Sequence, residues 1–169
     1  LSCQSSDANL SKSKFSLLNK IVWRIDNQSV HQRKFQNKVL RETQNGKSQI
    51  LLVTGTAPIH AGTLQILREQ NVKTVNFLSD DPWSRFHSSR WFLKALSQYD
   101  LLVTPRKSNL EQLKELSSGK IIYLPFAYNP YVHYEETSLS PEDEKLYGCD
   151  LMFFGGADKD RVPYIQALI

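Results

Sequence analysis

The dipeptide Asp80-Asp81 places two carboxylates directly after the strand-like run 74–78, in the sequence Ser-Asp-Asp-Pro-Trp. A carboxylate at the end of a buried strand can take the proton of a substrate hydroxyl as a general base. An aspartate before proline can instead accept backbone hydrogen bonds and so build a turn or a helix cap. We assign the turn to Asp81 with Pro82, while Asp81 is also a candidate for substrate binding. We hypothesise that Asp80 is the base or a ligand of the hydroxyl. Because adjacent side chains diverge, we predict no metal ion on this pair.

Three further side chains follow predicted strands and are candidates for a site. His60 is a second candidate base, because a neutral imidazole accepts a proton near neutral pH; the alternative is a loop histidine whose hydrogen bonds are satisfied. Arg106 can pair with a phosphate or an anionic substrate, or it can be a solvated charge. Trp83 can form an aromatic wall against a substrate ring, although core packing is the default for the aromatic residues between positions 83 and 92.

The elements that must position these residues alternate between apolar runs and helical patterns. We predict strands at 50–53, 73–78, 101–103, 120–124 and 151–154, helices at 62–71, 84–98, 109–117 and 159–169, and a polar loop at 129–147. Apolar strands without polar alternation, joined by helices, predict an α/β domain with a Rossmann-like parallel sheet flanked by helices. Ligands of such sheets bind at the carboxyl ends of the strands. None of the loops there has a dinucleotide-binding or P-loop glycine pattern.

The first 49 residues are basic, with nine Lys and Arg against three Asp and Glu. Phe15, Leu18, Val22 and Ile25 recur at helical spacing and predict an amphipathic helix. A second helix is predicted at 28–45, ended by Asn45-Gly46. The basic excess fits a solvated helical face, and peripheral membrane contact through the first helix is the alternative. Aromatic residues are too sparse here for nucleic-acid stacking, so we predict no nucleic-acid partner.

The composition of the whole chain narrows the class of protein. The chain has 169 residues, of which 40% are hydrophobic, enough for the core of one domain. No apolar run reaches the roughly 20 residues that span a bilayer, and no secretory signal is recognisable. Cys3 and Cys149 are far apart in sequence, which predicts two free thiols in a reducing compartment. These features predict a cytoplasmic protein that can be peripheral to a membrane.

Four motifs in order resemble the spore-maturation CgeB-like glycosyltransferases, which have the GT-B architecture. The first is the Asp-Asp-Pro loop at 80–82, and the second is a strand ending in Thr104 that leads to Asn109-Leu-Glu-Gln-Leu. The third is Leu-Pro-Phe-Ala-Tyr-Asn-Pro-Tyr-Val-His at 124–133. The fourth is Tyr-Gly-Cys-Asp followed by Phe-Phe-Gly-Gly and an arginine, at 147–161. The similarity covers residues 14–169 and is weak before residue 45.

The resemblance implies a transfer of sugar from a nucleotide-sugar donor to an acceptor, without a tightly bound cofactor. His133 would lie near the interdomain cleft, touching the donor or anchoring its loop. Gly155, Gly156 and Arg161 would face the donor diphosphate; a tight turn and an ion pair from Arg161 to a neighbouring aspartate are the alternatives. The implied division is a basic helical segment at 1–48, an acceptor-side domain at 49–155, and the start of a donor-side domain at 156–169. Because most of that second GT-B domain is absent from this sequence, little turnover is expected.

A non-catalytic α/β binding or regulatory module is the alternative function. A receiver domain also carries paired acids after a strand. It needs a phospho-acceptor aspartate at the end of another strand, and no aspartate directly follows Val53 or Val103. This absence disfavours a receiver and leaves other binding modules open.

Overall fold

Four parallel strands form the sheet of this protein, and they lie side by side in the order of the chain. The computed structural model describes residues 21, 32–84, 88–156, 159 and 161–168. The strands are β1 (Ile50–Thr54), β2 (Lys73–Phe77), β3 (Leu101–Thr104) and β4 (Lys120–Tyr123). The predicted α/β class with a Rossmann-like parallel sheet is therefore confirmed.

Helices precede, connect and follow the strands. In the described part of the chain they are α1 (Gln32–Asn45), α2 (Ala61–Glu69), α3 (Arg90–Leu96), α4 (Leu110–Leu116), α5 (Pro141–Tyr147) and α6 (Val162–Gln166), with a short 3₁₀ helix at Lys107–Asn109. The predicted second helix is confirmed from Gln32 onward, and its start at 28 lies outside the described residues. The predicted amphipathic helix at 15–25 also lies outside them, except Ile21, which is helical.

The strand order decides which face of the sheet the connecting helices cover. Every connection leads from one strand to the next strand in the same direction across the sheet. When such connections are right-handed, their helices all lie on the same face of the sheet. One buried row across the sheet runs Val53, Asn76, Leu102 and Ile121 in register. The first three of these residues are at most 4% exposed. The core therefore lies between this face and the helices.

The opposite face is apolar but largely uncovered, and we call it the open face. It consists of alternate residues of the four strands. Its apolar members are Ile50, Leu52, Val75, Phe77, Leu101, Val103 and Ile122, and its polar members are Thr54, Lys73 and Lys120. Ile50 and Leu52 are each 64% exposed on the edge strand β1. The sequence predicted coverage of both faces. Within the described part of the first unit, Phe126 packs edge-on against Phe77 of this face, with ring centroids 6.2 Å apart.

Helices α1 and α2 end in the same way, with a residue in the left-handed region. At the end of α1, Ser48 N–H bonds to Thr43 O at 3.0 Å, and Lys47 has φ of 46°. At the end of α2, Val72 N–H bonds to Leu67 O at 2.9 Å, and Asn71 has φ of 59°. Both are Schellman motifs. Helix α1 ends at Asn45, as the pair Asn45-Gly46 predicts, and the residue with positive φ is Lys47, directly after this pair.

Three element predictions were wrong. The helix predicted from 84 begins at Arg90, because Ser89 is extended and caps it by accepting the Phe92 N–H at 3.2 Å. The loop predicted at 129–147 contains α5, which begins after Ser140 because that side chain accepts the Asp143 N–H at 3.0 Å. The predicted strand at 151–154 is not a strand: it pairs with no strand of the described chain, and Phe154 is 97% exposed. An apolar run becomes a strand only where a partner satisfies its backbone groups.

The chain divides into two compact units, Leu1–Ala127 and Tyr128–Ile169. The first holds the sheet and the core. In the second, nearly all described side chains are exposed, with Val162 and Ile165 half-buried. The domain boundary predicted at 155/156 stays a prediction. Among the described residues, no helix is long and apolar enough to cross a bilayer.

Candidate functional site

The carboxyl end of β1 turns sharply at Gly55, beside the loop that follows β2. Gly55 has φ of 64°, which favours glycine, and its N–H bonds to Phe77 O at 2.8 Å. The buried Asn76 side chain donates to Gly55 O at 3.2 Å and fixes the turn from below. A Cβ at Gly55 would lie 3.4 Å from Ser79 Oγ and 3.6 Å from Asp80 Oδ2. The two loops are therefore in close contact, with the Asp80 carboxylate against the glycine.

The two aspartates of the opening motif have different local roles. Asp81 Oδ1 accepts the Trp83 N–H at 3.0 Å, and Asp81 O accepts the Ser84 N–H at 3.2 Å. This is an Asx turn, and it gives Asp81 the turn-building role that its sequence predicts. Asp80 is only partly buried, and its Oδ2 accepts the Ser79 hydroxyl at 3.1 Å. The Asp80 carboxylate is thus held beside Gly55 while part of it faces solvent.

Trp83 and Pro82 close this loop over the core. Pro82 is fully buried, and Trp83 is half-buried against the core cluster. Part of the Trp83 side chain therefore packs against the core. The role of Trp83 as a wall for a sugar ring stays a prediction.

His60 is embedded in a joint between helices α1 and α2. It is the N-cap residue of α2, its Nε2 contacts Gln32 Oε1, and its ring centroid lies 5.1 Å from that of Trp91. Its backbone N–H donates to Gln36 Oε1 at 3.2 Å, and the Thr63 hydroxyl donates to the same oxygen. The structure thus assigns His60 a packing and positioning role, and its role as a base stays a prediction.

Gln32 and Gln36 are the residues of this region that the sequence analysis missed. Both are buried, and they lie one helical turn apart on the face of α1 that also carries Phe35 and Val39. The sequence does contain an indication of this buried pair, because Gln32 and Gln36 lie at positions i and i+4 beside the apolar stripe of the helix. It was overlooked because glutamine usually lies on the exposed face of a helix.

The loop after β3 carries two exposed cationic side chains, and buried polar residues lie next to them in the sequence. Arg106 and Lys107 are exposed, and Lys107 Nζ lies 5.4 Å from the centroid of the Tyr123 ring. Thr104 is fully buried and accepts the Arg106 N–H at 3.2 Å through its hydroxyl. This hydrogen bond directs the backbone at Arg106, whose pairing with an anionic substrate stays a prediction.

Asn109 does not cap the helix that follows this loop. The side chain is 2% exposed, its Oδ1 accepts the Ser108 hydroxyl at 3.2 Å, and it makes no cap hydrogen bond. Its Nδ2 is buried without a hydrogen-bond partner among the described residues. Instead of a side-chain cap, the 3₁₀ turn Lys107–Asn109 leads directly into α4.

The remaining candidates lie in the second unit, where they stabilise two local turns. Asn129 N–H donates to His133 Nδ1 at 3.1 Å, and His133 N–H donates to Asn129 O at 2.7 Å. The His133 side chain therefore anchors its own loop. Arg161 Nη1 donates to Gly156 O at 3.0 Å and approaches Gly155, which has φ of 155°. Arg161 thus holds the Gly-Gly turn. The predicted alternative, an ion pair with Asp158 or Asp160, involves residues outside the described part of the chain.

The described side chains suit some kinds of chemistry better than others. The structure brings Gly55, Ser79, Asp80 and Asp81 together at one edge of the sheet. Among the described residues, no cluster of three His, Cys, Asp or Glu can hold a metal ion. The arrangement therefore offers a carboxylate that can accept a proton or a hydrogen bond from a bound hydroxyl.

Among the described residues, two titratable groups with shifted pKa values lie elsewhere, just before β3. Burial raises the pKa of the Tyr99 hydroxyl, and the neighbouring Asn76 side chain only partly offsets this effect. Burial also acts to raise the pKa of Asp100, but hydrogen bonds from Thr74 and the charge of Lys73 outweigh it and lower the pKa. Because both groups precede β3, while ligands of parallel sheets bind after the strands, we interpret them as structural.

No protein-family model and no curated protein matches this sequence.

Proposed function

We propose that this chain is the acceptor-side part of a glycosyltransferase that uses a nucleotide-sugar donor. The order of four motifs in the sequence suggests this class, and the confirmed parallel α/β sheet is compatible with it. The observation that carries the proposal is the Asp80 carboxylate. It is held against Gly55 at the carboxyl edge of the sheet, while the adjacent Asp81 is committed to a turn.

In the proposed reaction, Asp80 removes the proton of the acceptor hydroxyl. The hydroxyl oxygen then forms a bond to the anomeric carbon of the donor sugar. The bond from that carbon to the diphosphate oxygen breaks, and the nucleoside diphosphate leaves with the electron pair. A base of this kind contributes about 10²–10⁴-fold to such a step.

Donor binding is a separate part of the proposal. It assigns Gly155, Gly156 and Arg161 to the diphosphate, because backbone near glycine can approach a phosphate closely and arginine pairs with it through two N–H groups. The hydrogen bond from Arg161 to Gly156 O supports this assignment by keeping the cation beside the Gly-Gly turn.

The test is nucleoside diphosphate release from a panel of nucleotide sugars, measured with the full-length protein that contains this chain. Asp80→Asn is expected to lower kcat by about 10²–10⁴-fold with little change in KM, because only proton transfer is lost. Asp81→Asn is the matched control: it removes the same charge but keeps an oxygen for the Trp83 N–H, so turnover should persist. Unchanged turnover of Asp80→Asn would refute the assigned base. Nucleotide-sugar binding without turnover in the wild type would favour a binding module.

A further inference from the structure

The carboxyl ends of β2, β3 and β4 are joined by hydrogen bonds that continue beyond the strands. Leu78 N–H, just after β2, donates to Val103 O at 2.8 Å, and Leu124 N–H, just after β4, donates to Thr104 O at 3.0 Å. Neighbouring strands of a sheet lie about 4.8 Å apart. The loop after β3 therefore starts between the end of β4 and the loop that carries Asp80, at the edge where parallel sheets bind their ligands.

This loop holds two cations in defined places. The buried Thr104 hydroxyl accepts the Arg106 N–H at 3.2 Å, and so fixes the backbone from which the arginine side chain extends. Lys107 Nζ lies 5.4 Å from the centroid of the Tyr123 ring, a cation–π contact with the end of β4. Both cationic residues are exposed, and among the described residues neither forms an ion pair, although Glu111 lies only four positions after Lys107. Two positive charges are therefore available to a ligand.

A buried donor without a partner lies in the same loop. The Asn109 side chain is 2% exposed, and its Nδ2 has no hydrogen-bond partner in the described parts of the chain. Asn109 ends the 3₁₀ turn that begins at Lys107, so only one short turn of backbone separates this donor from the lysine. Buried donors are nearly always satisfied in folded proteins. An oxygen that enters this loop, from water or from a ligand, would complete the hydrogen bonds of Nδ2.

The charge of the loop favours a phosphate group over a carboxylate. A phosphate monoester carries about −1.5 to −2 charges at pH 7 and has three strong acceptor oxygens. Arginine pairs with phosphate through two N–H groups, and lysine binds it as a compact charge. A carboxylate has a single charge and would leave one of the two cations without a counter-charge.

We propose that the loop after β3 binds a phosphate group of the acceptor, with Arg106 and Lys107 as its cations and Asn109 as a further donor. The identity of the ligand as the acceptor rests on the proposed function, whereas phosphate binding by this loop does not. Because the Asp80 loop follows the adjacent strand, a phosphate held here keeps the rest of a small acceptor close to that loop. The substrate class is therefore a phosphorylated compound with a free hydroxyl.

Phosphorus NMR of inorganic phosphate, added at low ionic strength to the full-length protein that contains this chain, tests the site. Broadening of the phosphate signal should report binding. Arg106→Gln and Lys107→Gln should each raise Kd by about 10–100-fold, the effect of losing one charge-assisted hydrogen bond. Lys114→Gln is the matched control and should leave Kd unchanged, because it removes the same charge from an exposed position of α4. Phosphate should also stay bound when uridine diphosphate is present at equal concentration.

Three results would overturn the proposal. The first is a phosphate signal that the wild type does not broaden. The second is binding that none of the three variants weakens, or that all three weaken equally, which would show an adventitious effect of net charge. The third is displacement of phosphate by uridine diphosphate, which would assign the loop to the donor.

Turnover separates this proposal from the proposed function. No turnover with any nucleotide sugar, together with phosphate binding that depends on Arg106 and Lys107, would refute the glycosyltransferase and the acceptor assignment while leaving the phosphate site in place. Turnover in a protein whose phosphate binding ignores both substitutions would refute the phosphate site alone.

Discussion

At the scale of single residues, adjacent and chemically identical side chains have different environments. Asp81 satisfies the backbone N–H of Trp83, whereas Asp80 bonds to a side chain and remains partly accessible. The difference follows from position, because only the aspartate directly before Pro82 can close the turn. The sequence predicted this division, since an Asp-Pro pair at a strand end is a turn signal.

Asp100 should make the stability of the protein depend on pH. Its carboxylate accepts the N–H and the hydroxyl of Thr74, both at 2.9 Å, and lies 3.4 Å from Lys73 Nζ. Because its pKa is lowered on folding, the stabilisation is complete above the unfolded pKa of about 3.9 and is lost as pH falls through the folded value. Urea unfolding should therefore show a smaller loss of stability between pH 5 and pH 2 in Asp100→Asn than in the wild type.

The control for this prediction is Asp150→Asn, an exposed aspartate of the second unit. It should leave the acid dependence of the first unit's unfolding unchanged. If Asp100→Asn loses as much stability on acidification as the wild type does, other carboxylates determine how stability depends on pH.

At the scale of elements, most boundaries follow from local sequence, and two of the three errors occur where a side chain caps a helix. Ser89 and Ser140 both accept a backbone N–H three residues on, and thereby start α3 and α5. The Ser140-Pro-Glu-Asp signal was readable, since proline and acidic residues are favoured in the first turn. Ser89 was harder to recognise because other serines and apolar residues precede it.

Replacing Lys47 with glycine should stabilise the protein. A non-glycine residue in the left-handed region costs about 1–2 kcal/mol, and Lys47 occupies it at the end of α1. Lys47→Gly should therefore raise the free energy of unfolding by about 1 kcal/mol, less the entropy that glycine loses on folding. Asn71→Gly should give a smaller gain, because asparagine tolerates this conformation.

The matched control is Lys34→Gly, the same substitution at an exposed position inside α1. It should lower the free energy of unfolding by about 1 kcal/mol, because glycine is a poor residue within a helix. Chemical denaturation measures all three variants. Destabilisation by Lys47→Gly comparable to that by Lys34→Gly would contradict the Schellman geometry.

At the scale of the whole molecule, the two units differ in how much they bury. Among its described residues, the first unit has a core of fourteen buried apolar residues from its helices, strands and loops. In the second unit, the apolar run at 151–154 is exposed and unpaired within the described chain. Stability should therefore be concentrated in the first unit.

Hydrogen exchange followed by mass spectrometry should show this difference. Amides of β2 and β3, which are paired on both sides, should exchange most slowly, because they open only with the core. Amides of residues 151–154 should exchange at nearly the unprotected rate. The matched comparison is β4, which has a similarly apolar sequence but is paired to β3. Slow exchange at 151–154 would instead show that this run forms a strand in solution.

The sequence by itself determined the class of the fold and the positions of four strands along the chain, because apolar runs and helical periodicity are local signals. It also determined which aspartate builds the turn. Tertiary structure decided the rest. The run at 151–154 has the composition of a strand, but only a partner makes a strand. Likewise, Gln32 and Gln36 are buried because His60 and Thr63 lie opposite them. Such contacts join residues more than twenty positions apart, so no local pattern can specify them.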